Sequence, residues 1–96
     1  MATNFRISIQ RKSRDLYLKL MGDFDGSSAF ELLQLLKKNS HRISKAIIDT
    51  SRLRQIHPFG QAVFHNNLHM LNDTSIRIIL KGENAEQIAP RFGTML

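Results

Sequence analysis

From Phe5 onward, apolar and polar positions alternate. Phe5, Ile7 and Ile9 interleave with Arg6, Ser8 and Gln10, and Leu16, Leu18 and Leu20 with Tyr17, Lys19 and Met21. A period of two puts each set on its own face of an extended chain, so both segments read as half-buried strands. The polar RKSRD between them predicts a turn of four or five residues, and an antiparallel hairpin whose second strand stops at Gly22. The period then lengthens. Ala29, Leu32, Leu33 and Leu36 share one face at helical spacing, which predicts an amphipathic helix over 27–39. Asp25 or Ser27 suits its N-cap, and Ser28 followed three residues later by Glu31 fits a capping box. Lys37 and Lys38 fall in the last turn, opposite the negative end of the dipole. Phe30 lies off the centre of the stripe and is expected to be at best half covered.

Ile43 to Asp49 contains a continuous apolar run, Ala46-Ile47-Ile48, the pattern of a parallel strand buried on both faces. A polar bend anchored by Leu53 and Ile56 follows. Gly60 to Leu71 then has helical spacing through Val63, Phe64, Leu68 and Leu71. Asn72-Asp73-Thr74 reads as a turn and Ser75 to Lys81 as a fourth strand broken by Gly82. Glu83 to Phe92 reads as a short last helix weakened by Pro90. The order ββαβαβα predicts a single α/β domain over residues 1–96, a small mixed four-stranded sheet packed by helices. Within it Lys45 to Leu71 forms a strand–loop–helix unit, and such folds place their sites in that loop and at the helix N-terminus.

Composition narrows the class. At 96 residues, 42% apolar and 23% charged, the chain has the make-up of an ordinary globular domain with one core. There is no cysteine, hence no disulfide framework, thiolate site or cysteine nucleophile. No apolar run approaches the roughly 18 residues a membrane span requires, and MATNFRISIQ has no apolar leader core. The expectation is a soluble, unexported, cytoplasmic protein. The net charge of +6 raises nucleic acid or an anionic surface as a partner, through Lys37, Lys38, Arg42, Lys45, Arg52 and Arg54. That segment carries no aromatic residue on which bases would stack, which favours a solvated basic surface.

Catalytic and metal motifs are sparse. His65 and His69 stand four apart, as in a helical metal pair. Asn66 occupies the place where the hydrolase version needs glutamate, and only Asp73 or His57 offers a third ligand. The polar side of an amphipathic helix accounts for the pair better than zinc. Asp23, Asp25 and Asp49 are the carboxylates for an acid–base set, yet the first two fit capping and the third a strand end. The chain has no GxGxxG, P-loop or GxSxG. The expectation is a protein without cofactor that is not an enzyme.

Two stretches carry a resemblance. LYLKLMGDFDGSSA, Leu16 to Ala29, is similar to the strand, glycine, aspartate, Ser/Thr-Ala opening of the first helix in the STAS domain, the family of bacterial anti-sigma factor antagonists and of sulfate-transporter cytoplasmic tails. AIIDTSRL, Ala46 to Leu53, resembles that family's apolar strand followed by Asp-x-Ser-x-Leu, and Ile56 to Gly60 stands where the family typically has Asp-Ser-Ser-Gly. The resemblance implies an α/β fold with both functional loops at one end, and a serine phosphorylated by a kinase partner at the second helix's N-terminus. His57, Pro58 and Phe59 occupy the matching positions here. Phe59 stands at the phosphoacceptor position and has no hydroxyl, so the usual serine switch cannot operate there. The nearby hydroxyls of Ser27, Ser28, Thr50 and Ser51 read as caps and strand-end contacts.

The resemblance therefore implies a protein–protein interaction module. Its docking surface would comprise Asp23, Asp25, Ser27, Phe30, His57, Pro58, Phe59 and Gly60, with Phe59 either an exposed apolar anchor or folded inward. The implied partner is an anti-sigma factor or serine kinase. An accessory role beside a subunit of a bacterial membrane transport complex is the alternative, and anionic-surface or nucleic-acid binding through residues 37–54 a third.

Overall fold

The computed structural model describes residues 4–71 and 74–88. Two strands open the fold, β1 (Arg6–Lys12) and β2 (Asp15–Phe24), joined as an antiparallel hairpin in which Lys12 pairs with Asp15. The turn is thus only Ser13-Arg14, with Ser13 at φ 58°, shorter than the polar RKSRD run suggested. Helix α1 (Gly26–Asn39) leads to β3 (Lys45–Ile56), which lies parallel to β2. Helix α2 (Pro58–Asn66) and a single 3-10 turn (Leu68–Leu71) follow, then β4 (Arg77–Lys81), parallel to β3, and the short α3 (Ala85–Ile88). The sheet order β1-β2-β3-β4 has one antiparallel and two parallel pairings, a mixed α/β sheet.

The helices touch one another as one layer on one face of this sheet. Leu16, Leu18 and Leu20 of β2, Ala46 and Ile48 of β3 and Ile78 and Leu80 of β4 point into that layer. They meet Ala29, Leu32, Leu33 and Leu36 of α1, and Phe64 and Ile88. Phe24 is fully buried, its ring edge-to-face with Phe5 at 6.2 Å and Phe64 at 6.3 Å, so one aromatic cluster ties β2 to β1 and α2.

Three sequence expectations are corrected. The segment after Asp49 is strand rather than bend, so Asp49 lies within β3 and not at its end. β2 extends to Phe24, and β3 pairs with it as far as Ile56 across two register shifts. The shifts break the alternation of buried and exposed positions, which made this stretch look like loop. Beyond Asp49 the other edge of β3 has no strand partner among the described residues; the Thr50 hydroxyl donates to the Lys81 carbonyl and Asn84 Nδ2 to that of Thr50. Second, β3 is parallel as expected but not covered on both faces: Ile47 points away from the helices and is half-buried. Third, the helix expected over residues 60–71 begins at Pro58 and closes at Asn66. Asn67 Nδ2 donates to the Val63 carbonyl there, and only the 3-10 turn continues. Most of the turn expected at Asn72-Asp73-Thr74 and the end of the helix expected over residues 83–92 lie outside the described residues.

Candidate functional site

Because β2 and β3 are parallel neighbours, the helices that follow them start side by side at one end of the sheet. Their approach is close enough to be a single construction. The His57 N–H donates to the Phe24 carbonyl oxygen at 2.9 Å, joining the β3–α2 junction to the β2–α1 junction. Gly60, in the first turn of α2, is buried under the same backbone. A Cβ there would stand 2.6 Å from the Phe24 oxygen and 2.9 Å from the Asp25 carbonyl carbon. Pro58 opens α2, where its missing N–H costs nothing.

Asp25 caps α1. Its Oδ1 accepts from the Ser28 N–H at 2.9 Å and from the Ser27 hydroxyl at 2.9 Å. The Ser28 hydroxyl also stands 2.9 Å from Asp25 Oδ1 and 3.0 Å from the Asp23 carbonyl oxygen. The capping box expected of Ser28 and Glu31 therefore does not form, since Ser28 lies inside the helix and its hydroxyl turns back to the loop. Desolvation pushes the Asp25 carboxyl up, but the Ser28 N–H and the two hydroxyls outweigh it and hold its pKa at about 2, against an ordinary 3.8. A depressed carboxylate stabilises the fold fully above its ordinary pKa, and loses that contribution as pH falls through the folded value. Asp25→Ala is accordingly expected to lower stability by about 1 kcal/mol near neutral pH. The gap from wild type should narrow as pH falls from about 4 to about 2. Thermal midpoints of both proteins across that range check this, and a gap independent of pH would refute it.

Phe59 is 71% exposed, so the inward-folded reading does not hold. Its ring lies against Gly26: a Cβ on Gly26 would meet two ring carbons at 2.6 and 2.7 Å and the Val63 side chain at 3.5 Å. Phe59 and Val63 are one turn apart on α2, as Gly26 and Phe30 are on α1, so each pair shares a helix face. Phe30 is 46% exposed. The result is an apolar ridge across the two helix starts, with the exposed His57 and Pro58 beside it. Gly26 and Val63 were not among the candidates from sequence; a glycine beside an aspartate reads as turn chemistry until the ring lying on it is seen.

Asp23 sits next to this ridge at the end of β2. Asn4 Nδ2 donates to its Oδ2 at 3.4 Å and Arg54 Nε approaches its Oδ1 to 3.6 Å. That Oδ1 is buried and accepts no hydrogen bond among the described residues. Asp49 does not join Asp23 and Asp25; it pairs across from Lys19, on the sheet face away from the helices. The Ser51 N–H holds its carboxyl below the ordinary value against some desolvation, helped by the Ser51 hydroxyl and by Lys81 and Lys19. His65 and His69 are in different elements, α2 and the 3-10 turn, and His69 Nδ1 lies 3.1 Å from the Asn66 carbonyl oxygen. Among the described residues no three His, Asp or Glu side chains are grouped as a metal would need.

The basic run over residues 37–54 is not one patch. Lys37 Nζ donates to the Met70 carbonyl, and Lys45 Nζ lies 3.7 Å from Asp15 Oδ2. Lys37 and Lys38 belong to α1, whereas Lys45 and Arg52 lie on β3, on the sheet face away from the helices. No helix among the described residues is long and apolar enough to cross a membrane.

This layout is a STAS-like α/β fold, with both loops that follow the parallel strands gathered at one end. It is the fold of the anti-sigma factor antagonist SpoIIAA: the unphosphorylated form superposes with a TM-score of 0.63 over 90% of this chain and 81% of that one, at 13% identity. The phosphorylated form of the same Bacillus cell fate determinant gives a TM-score of 0.61 at 14% identity, over 88% of this chain and 78% of that one. A crystal structure of Mglu matches 77% of this chain with a TM-score of 0.65 at 18% identity, and there the chain spans only about a fifth, 19%, of its counterpart. No family model matches the chain, and no curated sequence does at a significant level.

Proposed function

We propose that the protein is a non-enzymatic docking module of the anti-sigma factor antagonist kind. It would engage a protein partner through the β2–α1 loop and the start of α2, without a serine phosphoswitch at that helix. The observation that carries this reading is Phe59: an aromatic ring 71% exposed, seated on Gly26 where both helices begin. Exposed aromatics on a rigid support are the side chains from which interfaces draw most of their energy. The support is rigid here because Gly60 locks α2 against the neighbouring loop.

A phosphoserine at this position would place about two negative charges at a helix start, where free N–H groups favour them, and would repel an acidic partner surface. Phe59 offers no such reversal. Binding is then constitutive or controlled from the partner's side, and an anti-sigma factor or serine kinase is the partner class that fits the fold. Affinity capture from the native cell extract with wild-type and Phe59→Asp protein tests this. Wild type should retain a stoichiometric protein partner that the variant does not. Equal retention by the two would remove Phe59 from the interface.

A further inference from the structure

The sheet has a second face, and nearly all of the chain's net charge lies on it. Strand registry sorts its outward residues into rows across the strands. One row runs Lys12, Asp15, Lys45, Arg77; the next Gln10, Tyr17, Ile47, Ile79; then Ser8, Lys19, Asp49, Lys81; then Arg6, Met21, Arg52. Seven basic residues stand against two acidic ones, which leaves five of the chain's six net positive charges on this face. The rest of the protein carries seven basic and six acidic residues and is close to neutral. Only Lys45 and Arg52 of the basic run read from sequence belong here. The alternation of strands, rather than any cluster along the chain, builds the patch.

No helix among the described residues covers this face. Its apolar row is level rather than protruding: Ile47 and Ile79 are half-buried and Tyr17 is 38% exposed. Two shallow depressions open on it, one lined by Gln10, Lys12 and Tyr17, the other including Asp15, Lys45 and Arg77. We infer that this face docks on an anionic phospholipid bilayer. The charges are spread in two dimensions, over four strands at about 4.8 Å spacing and rows about 7 Å apart, which matches a plane of negative headgroups. A tyrosine flanked by basic residues suits the headgroup level, where its ring and hydroxyl meet different surroundings. Single-stranded nucleic acid is the poorer fit, because it needs several aromatic platforms and this face has one. The ridge at Phe59 lies at the end of the sheet, so a bilayer on the outer face leaves it open to a protein partner.

Flotation with lipid vesicles tests the inference on the intact chain. Vesicles of phosphatidylglycerol and phosphatidylcholine should carry the protein at about 50 mM salt, and release it in high salt as the charges are screened. Pure phosphatidylcholine should not carry it. Lys19→Gln combined with Arg77→Gln should weaken binding about twenty-five-fold, at roughly fivefold per basic residue near an anionic surface. Lys38→Gln combined with Arg42→Gln, which removes two charges from α1 and the loop after it, outside these rows, should leave it within about twofold, and unchanged thermal midpoints show that all variants are folded. Equal loss in both double variants, equal flotation with neutral vesicles, or tighter binding to single-stranded RNA at the same salt would each overturn it.

Discussion

Gly60→Ala is expected to destabilise the protein by about 2–3 kcal/mol, the upper part of the range of about 1–3 kcal/mol for a methyl forced into closed packing. For a domain of this size the thermal midpoint then falls by about 10–20 °C. The sign is the informative part. In an open first turn of a helix, replacing glycine with alanine stabilises by about 0.5–1 kcal/mol, because the unfolded chain loses freedom. Here the new Cβ would lie 2.6 Å from the Phe24 carbonyl oxygen and 2.9 Å from the Asp25 carbonyl, and both are backbone that cannot swing aside. Either α2 moves away from the β2–α1 loop, breaking the His57 to Phe24 hydrogen bond, or the loop itself yields. Differential scanning calorimetry reads the result directly. An unchanged or raised midpoint would mean that the two helix starts are not packed as one unit.

Phe59→Asp should have the opposite profile. The ring is mostly in solvent, lies beside Gly26 and is not part of the core cluster, so its loss leaves the core of Leu, Ile and Phe side chains intact; surface changes of this kind are usually within about 0.5 kcal/mol. Partner binding, by contrast, should fall by at least about 25-fold. A central aromatic anchor contributes about 2–4 kcal/mol to an interface, and each 1.4 kcal/mol is a factor of ten. The two substitutions are neighbours in the chain, yet one should report on folding and the other on recognition.

The element order and the mixed sheet were legible because the inward faces of β2 and α1 carry leucine at strand and helix spacing; the parallel pairing of β3 was read from its continuous Ala46-Ile47-Ile48 run, although Ile47 lies on the outer face. The extent of β3 was not. Its second half loses the two-residue period at the register shifts opposite Met21 and Asp23, and its polar residues compensate by pairing with a strand that itself runs past Gly22. The site was legible in part. Asp25 was marked by its capping chemistry, and Phe59 and Gly60 by the resemblance of Ile56 to Gly60 to the STAS second-helix start. The seating of Phe59 on Gly26 and the burial of Gly60 depend on two chain segments more than thirty residues apart, a distance no local pattern spans. Ser28 misled for a related reason: Asp25 is the cap, and the Ser28 hydroxyl bonds back to the Asp25 carboxylate and the Asp23 carbonyl.

The charge of the outer face was hidden in the same way. Arg6, Lys12, Lys19, Arg52, Arg77 and Lys81 come from all four strands, and only the sheet brings them together. Two separate surfaces result, an apolar ridge at the helix starts and a basic plane across the strands. A partner held mainly by the ridge should show little dependence on salt, while attachment through the plane should weaken steeply with it.

The central claim is that Phe59 anchors a protein partner at the paired helix starts. Titration calorimetry of the captured partner into wild-type and Phe59→Asp protein tests it most directly, with thermal midpoints of both measured alongside. The account predicts a loss of affinity of at least about 25-fold with the midpoint within about 3 °C of wild type. Affinity retained within a few-fold by a folded Phe59→Asp variant would contradict it.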